Sequence, residues 1–263
     1  MKRLSMFVYG VVCYAASLAT FLYAFGFLGN LWVSQSIDSA RAVPLMTALP
    51  IDLALLGIFG LQHSVMARPA FKRWWTRIVP IPAERSTYLL FSSIALIALL
   101  ALWQPVGAVL WSVGSPVGQA VLYGAYGLGW GLLLFSTFLL NHFDLFGLRQ
   151  VWLQLIDKPY QSLPFRTPVL YRYVRHPLYI GWLLTFWAAP IMTAAHLVFA
   201  LATSAYILIA IQLEERDLIA AHPQYEDYRR RVPMLLPLIK RREEVAKRAA
   251  WAPTAVPGSG PSR

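Results

Sequence analysis

The sequence predicts an all-α protein: a polytopic membrane helix bundle with five to six transmembrane helices and a cytoplasmic C-terminal catalytic cap. Three observations carry that reading. Hydrophobic residues fill 58% of the 263 positions and charged residues only 13%, against about 25% charged in ordinary soluble domains. The apolar residues gather into runs of the roughly 20 residues that a spanning helix needs. The basic residues fall almost entirely on segments that alternate to one side of those runs.

The elements follow in order. Stretches 5–32, 44–66, 86–110 and 117–141 read as four spans forming a scaffold domain, 1–141. The first is too long for a signal peptide and lacks a small-residue cleavage site after it, so it is read as a retained anchor. It holds Cys13, the one cysteine, which excludes an intrachain disulfide or a thiolate metal cluster. The 68–85 loop mixes Arg68, Lys72, Arg73, Arg77 and Arg85 with Trp74 and Trp75, a composition suited to an interfacial anchor. In the fourth span, "YGAYGLGWG" sets Gly127 and Gly131 at GxxxG spacing, which predicts close approach of another helix.

Residues 142–247 form the expected catalytic region. The segment 142–177 is broken by Pro159, Pro164 and Pro168 and is rich in aromatics, which predicts a loop packed over the mouth of the bundle. The apolar tract 178–213 is too long for one helix. Pro190 and the small residues after it predict a hairpin of two short helices, each of about 16 residues or ~24 Å, with a re-entrant form open as an alternative. Glu214 and Glu215 end that tract, and the chain beyond reads as an amphipathic cap with Tyr225 and Tyr228 on one helix face. The last residues, 248–263, are Pro/Gly/Ser-rich and read as a flexible tail.

The net charge of +11 invites a nucleic-acid partner, but its distribution excludes one. Lys2 and Arg3, the 68–85 loop, the 149–175 segment and the chain after 215 hold all the cations except Arg41. That is the positive-inside pattern for a protein in a lipid bilayer with both termini in the cytoplasm.

The hairpin has a chemical consequence. Its two ends meet at one membrane surface, so "LYRYVRHPLYIGWLL" (170–184) comes to lie beside Glu214 and Glu215. Arginine pairs with a carboxylate bidentately, a glutamate suits an ammonium group, and tyrosine faces attract cations. A ligand fitted to that site is zwitterionic at one end, with an aromatic or apolar remainder.

The residues "RHPLYIG" (Arg175 to Gly181), "EERDL" (Glu214 to Leu218) and "YEDYRRRVPMLLP" (Tyr225 to Pro237) resemble the isoprenylcysteine carboxyl methyltransferase and phospholipid methyltransferase superfamily over about residues 165–240. The family's Phe-Gly before the first tyrosine is replaced here by "AHPQ". "GLQHSVMARPAFKRWW" resembles NnrU-type membrane proteins, and with "STFLLNHFDLFGLRQVWL" most of the chain is similar to the bacterial methanethiol S-methyltransferase family. The resemblance implies an integral protein of the bacterial inner membrane that uses S-adenosyl-L-methionine to methylate a small volatile thiol, methanethiol to dimethyl sulfide and also hydrogen sulfide to methanethiol. The competing expectations are an isoprenylcysteine carboxyl or phospholipid methyltransferase, and a non-enzymatic NnrU-type protein. The motif match implies cofactor binding by Arg172, Tyr173, Arg175, His176, Pro177, Tyr179, Gly181, Glu214, Glu215, Tyr225 and Tyr228. Within it Arg175 is assigned to the methionine carboxylate and Glu214 or Glu215 to the ammonium. The acceptor's proton needs a base, because the thiolate is the nucleophile. The candidates are His142 and Asp144, with Asn141 orienting His142, and His63; ionisable groups at membrane depth are functional suspects. No His/Asp spacing suggests a metal site.

Overall fold

The computed structural model describes residues 1–39, 43–106 and 108–237; Arg41 and the expected tail 248–263 lie outside them. The elements in order are α1 (Lys2–Gly29), α2 (Leu45–Ala67), α3 (Pro69–Trp75), α4 (Glu84–Leu102), β1 (Val109–Ser112), α5 (Pro116–Leu140), α6 (His142–Leu145), α7 (Leu148–Leu155), α8 (Pro177–Trp187), β2 (Ile191–Thr193), α9 (Ala194–Ala221) and α10 (Tyr225–Arg231). Among the described residues, five helices are long and apolar enough to cross a membrane: Lys2–Gly29, Leu45–Ala67, Ile81–Leu102, Pro116–Leu140 and Ala194–Ala221. α3 carries the Arg/Lys/Trp cluster as a short helix beside α2.

Two expected boundaries are corrected. The third span stops at Leu102 instead of running to 110. Pro105 disfavours helix at Gln104 before it, the backbone leaves the helix at the buried Trp103, and Val109–Ser112 becomes β1. The hairpin is also asymmetric. α8 has 11 residues, about 16 Å at ~1.5 Å per residue, whereas α9 has 28. The helix ends ahead of Pro190, and the chain then runs extended to pair β2 antiparallel with β1, Trp111 opposite Met192. The passage back across the bundle is thus half helix and half extended chain.

Non-helical backbone at membrane depth is tolerated where protein buries it and satisfies its polar groups. Both conditions hold here. Ala188, Ala189, Met192 and Thr193 are buried. The carbonyl of Ala189 accepts from the Trp111 indole at 3.2 Å, that of Pro190 accepts from the Val113 amide at 2.9 Å, and the Ala194 amide donates to Ala108 at 2.8 Å.

The helices pack through specific contacts. α5 and α8 cross backbone to backbone: a Cβ on Gly129 would stand 2.9 Å from the Gly181 carbonyl oxygen, and one on Gly181 would stand 2.8 Å from that of Gly129. The expected contact at Gly127 and Gly131 is corrected, since a Cβ on either would meet nothing within 4 Å. At the end away from the N-terminus, Asp38 ties three elements together. Its Oδ1 accepts from the Thr193 amide and hydroxyl at 3.2 and 2.7 Å. Its Oδ2 accepts from Asn30 at 2.8 Å and pairs with the fully buried His196 at 2.9 Å.

Candidate active site

The site lies where the two arms of the hairpin meet opposite its turn, at the same end of the bundle as the N-terminus. Pro177 opens α8 at its first position, where its missing N–H costs nothing. This sets His176 at the helix entry. The amides of Arg175 and His176 donate to the carbonyls of Pro233 (2.9 Å) and Met234 (3.2 Å). α9 runs without a break through Glu214 and Glu215, so residues forty positions apart become neighbours.

Glu215 is the hub. It is 2% exposed, a placement a carboxylate survives only when paired and hydrogen-bonded. Its Oε1 accepts from Arg175 Nε at 2.7 Å, His176 Nε2 at 2.9 Å and the Tyr225 hydroxyl at 3.4 Å. Its Oε2 lies 3.3 Å from Arg229 Nε. Arg175 Nη1 donates to the carbonyls of Arg229 (2.8 Å) and Val232 (2.6 Å). Glu214 is engaged more lightly, by the Tyr179 hydroxyl at 2.8 Å. The Tyr228 hydroxyl donates to the Tyr171 carbonyl at 2.5 Å, and Phe165 packs on both Tyr225 and Tyr228. Burial pushes the Tyr228 phenol up to about 12 and raises that of Tyr225 too. Both therefore remain protonated donors near neutral pH.

Seven of the motif residues converge: Arg175, His176, Tyr179, Glu214, Glu215, Tyr225 and Tyr228. Pro177 shapes the helix entry, and Gly181 serves the crossing with α5. Arg172 and Tyr173 stand outside the cluster. Arg172 is exposed and donates to the Thr167 carbonyl at 3.4 Å, and Tyr173 is 67% exposed. Sequence reasoning missed Arg229, which sits one turn after Tyr225 on α10 and so faces the same way.

The base candidates occupy two other places. Asn141 takes a left-handed conformation (φ 88°) after α5 and its side chain accepts from the Asp144 amide at 3.0 Å. Asp144 is buried between Arg149 at 2.7 Å and Arg85 at 3.3 Å. His142 has one ring nitrogen 2.8 Å from the Tyr14 hydroxyl and the other 2.8 Å from that of Thr137. It is stacked against Phe138 (4.4 Å between centroids) and Phe146 (4.6 Å). Burial lowers its pKa below the ordinary histidine value, so the ring is neutral near pH 7. His63, on α2, faces Tyr88 and Ser92 of α4.

A lightly engaged glutamate and a guanidinium whose Nη2 is left over by Glu215 and two carbonyls are opposite charges at one rim, with phenols beside them. That donor set fits an amino-acid zwitterion.

No family model matches the chain, and no solved structure matches it. Curated proteins do. A methanethiol S-methyltransferase of Crocosphaera subtropica is 57% identical over 240 residues, 91% of this chain and 94% of that one. A methanethiol S-methyltransferase of Mycobacterium tuberculosis is 51% identical over 238 residues, 90% of this chain and 98% of that one. The chain belongs to the methanethiol S-methyltransferase family. Membership of this methyltransferase family accounts for the motif pair as well as for the apolar helices. A nurim of Xenopus laevis is 30% identical over 198 residues, 72% of this chain and 69% of that protein, so the likeness extends beyond proteins with the methyltransferase name.

Proposed function

We infer that the protein is an integral membrane methyltransferase that methylates methanethiol to dimethyl sulfide, with S-adenosyl-L-methionine as the donor. The supporting observation is the clasp of Arg175, His176 and Glu215 where the two arms of the hairpin meet opposite its turn, in a chain whose relatives, matched over nearly their whole length, carry that enzyme name. Those names favour the small thiol over a prenylated cysteine or a phospholipid amine. The basic distribution favours a cytoplasmic location for the clasp and both termini, in the bacterial inner membrane.

In this reading residues 1–141 are scaffold and the region from 142 onward carries the chemistry. Arg175 would hold the donor's carboxylate and Glu214 its ammonium. Glu215 is consumed by four partners of its own, so its role is to hold Arg175 and His176 in place. When bound, the donor supplies an electrophilic methyl carbon on a sulfonium. The protein's remaining task is to keep water out and to remove the thiol proton, since a dry pocket makes the thiolate harder to form. Both candidate histidines are held by hydroxyls and stacked on phenylalanines, His142 by Tyr14 and Thr137 with Phe138 and His63 by Ser92 with Phe59. His142, with Asn141 and Asp144 beside it, and His63 therefore stand as the two base candidates.

Membranes carrying the wild-type protein are expected to convert methanethiol and S-adenosylmethionine to dimethyl sulfide in a headspace assay. Calorimetry with S-adenosylhomocysteine is expected to show binding that His176→Ala and Glu215→Ala weaken at least about tenfold, the scale of a lost charge-assisted contact. Unchanged affinity in both variants overturns the clasp as the donor site.

A further inference from the structure

Residues 68–80 join the end of α2 to the start of the next helix that is long and apolar enough to cross a membrane. A connection this short, part of it wound into α3, stays at the bilayer surface, so the side chains it exposes meet lipid head groups.

The chain from Arg68 to Arg85 carries five cations, Arg68, Lys72, Arg73, Arg77 and Arg85. Three are engaged by the protein's own carboxylates. Arg68 pairs with Asp217 at 2.9 Å, Arg85 pairs with Asp144 at 3.3 Å, and Lys72 stands 3.9 Å from Glu84. Arg73 and Arg77 are exposed, and among the described residues neither guanidinium has a hydrogen bond or an ion pair.

The two free cations are neighbours. α3 ends at Trp75, but the amides of Arg77 and Ile78 donate three residues back, to Trp74 at 3.1 Å and Trp75 at 3.0 Å, and that of Val79 donates to Trp75 at 2.9 Å. Helical turns therefore continue, and residues four apart share a face. Arg73 and Arg77 form one stripe, and the exposed Trp74 and Ile78 form the stripe beside it. The apolar stripe rests on a fixed base: Phe71 packs on Trp74 at 5.3 Å and on Trp75 at 5.7 Å, and Trp75 meets Phe91 of α4 at 6.2 Å.

We propose that Arg73 and Arg77 form a binding site for an anionic phospholipid, whose head-group phosphate lies between the two guanidinia and whose acyl chains lie on Trp74 and Ile78. A guanidinium fork matches phosphate oxygens. A zwitterionic lipid offers the same phosphate with an ammonium beside it, so two cations without counter-charges favour a head group of net negative charge. A nucleic acid or an acidic peptide satisfies the arginines but leaves Trp74 and Ile78 facing water. A lipid satisfies both stripes, and the site does not depend on methyl transfer.

The test titrates the full-length protein in detergent with phosphatidylglycerol and with phosphatidylcholine of the same chains, and counts bound lipid by native mass spectrometry. Each arginine at an anionic head group contributes a factor of about five, so the wild type is expected to favour phosphatidylglycerol about twentyfold. Arg73→Gln/Arg77→Gln is expected to cut that preference about tenfold or more. The control, Lys158→Gln/Arg230→Gln, removes the same charge at other exposed positions and is expected to keep the preference within about twofold. Arg73 and Arg77 hold nothing in the fold, so their variant is expected to unfold at the wild-type midpoint; if it does not, Arg77→Gln alone carries the test with about a fivefold loss. Equal binding of the two lipids by the wild type overturns the proposal. So does a preference that survives in the double variant, or one that falls as far in the control. Inorganic phosphate, which offers the charge without the chains, is expected to leave phosphatidylglycerol bound; displacement by it assigns the arginines to a free anion and overturns the lipid site.

Discussion

At the scale of single residues, the chain uses buried carboxylates as knots and spaces them at opposite ends of the bundle. Burial opposes ionisation of Asp38, but hydrogen bonding and charge from His196, with Asn30 and Thr193, outweigh it and hold the carboxyl below its usual value. A carboxyl whose folded pKa is depressed stabilises the fold above its unfolded value, near about 4, and that stability is lost as pH falls through the folded value. Thermal unfolding in detergent is therefore expected to show a loss below about pH 4 that Asp38→Asn flattens. Asp38→Ala, which leaves His196 buried without its partner, is expected to cost about 3–5 kcal/mol at neutral pH. Arg175, His176, Glu214 and Glu215 were legible in the sequence because arginine, histidine and paired glutamates are costly beside apolar runs, whereas Arg229 was not. What the sequence hid was the division of labour between Glu214 and Glu215. Adjacent positions on a helix point about 100° apart, and only the fold tells which one turns into the cluster of Arg175, His176 and Tyr225.

At the scale of elements, glycine placement separates a packing position from a merely permissive one. Gly129→Ala pushes a methyl against the Gly181 carbonyl and is expected to cost about 1–3 kcal/mol, as overpacking does. Gly127→Ala faces open space and is expected to be neutral or stabilising by up to about 1 kcal/mol from helix propensity. Relative unfolding midpoints of the two variants check this. The spacing rule pointed at Gly127 and Gly131 because it reads one helix at a time; the partner, Gly181, lies fifty residues away and contributes the backbone oxygen that makes Gly129 indispensable. The same limit explains the hairpin. Pro190 announced a break, but the shortness of α8 depends on β1, which a hydropathy profile merged into the preceding span.

At the scale of the whole molecule, five apolar helices and one mixed passage bring the first and last described elements to a single face. Residue 114 lies just before α5 at one end and residue 158 just after α7 at the other, and both are exposed. Cys13 is fully buried, so a Cys13→Ser background is silent. Gly114→Cys is expected to react with an impermeant maleimide on intact cells, and Lys158→Cys only after permeabilisation. Labelling of both from one side contradicts the arrangement. The first four spans were legible from composition, because hydrophobic length is a local property, while composition left the count between five and six. The half-extended passage was not, since its backbone is satisfied by Trp111, Val113 and Ala108 from another part of the chain.

The amides of Arg175 and His176 are held by Pro233 and Met234, near the end of the described chain. During synthesis the five apolar helices among the described residues are therefore complete before the segment that latches the cluster has emerged from the ribosome. A polypeptide stopped at Arg231 would hold all five of those helices and still lack the carbonyls that fix the amides of Arg175 and His176.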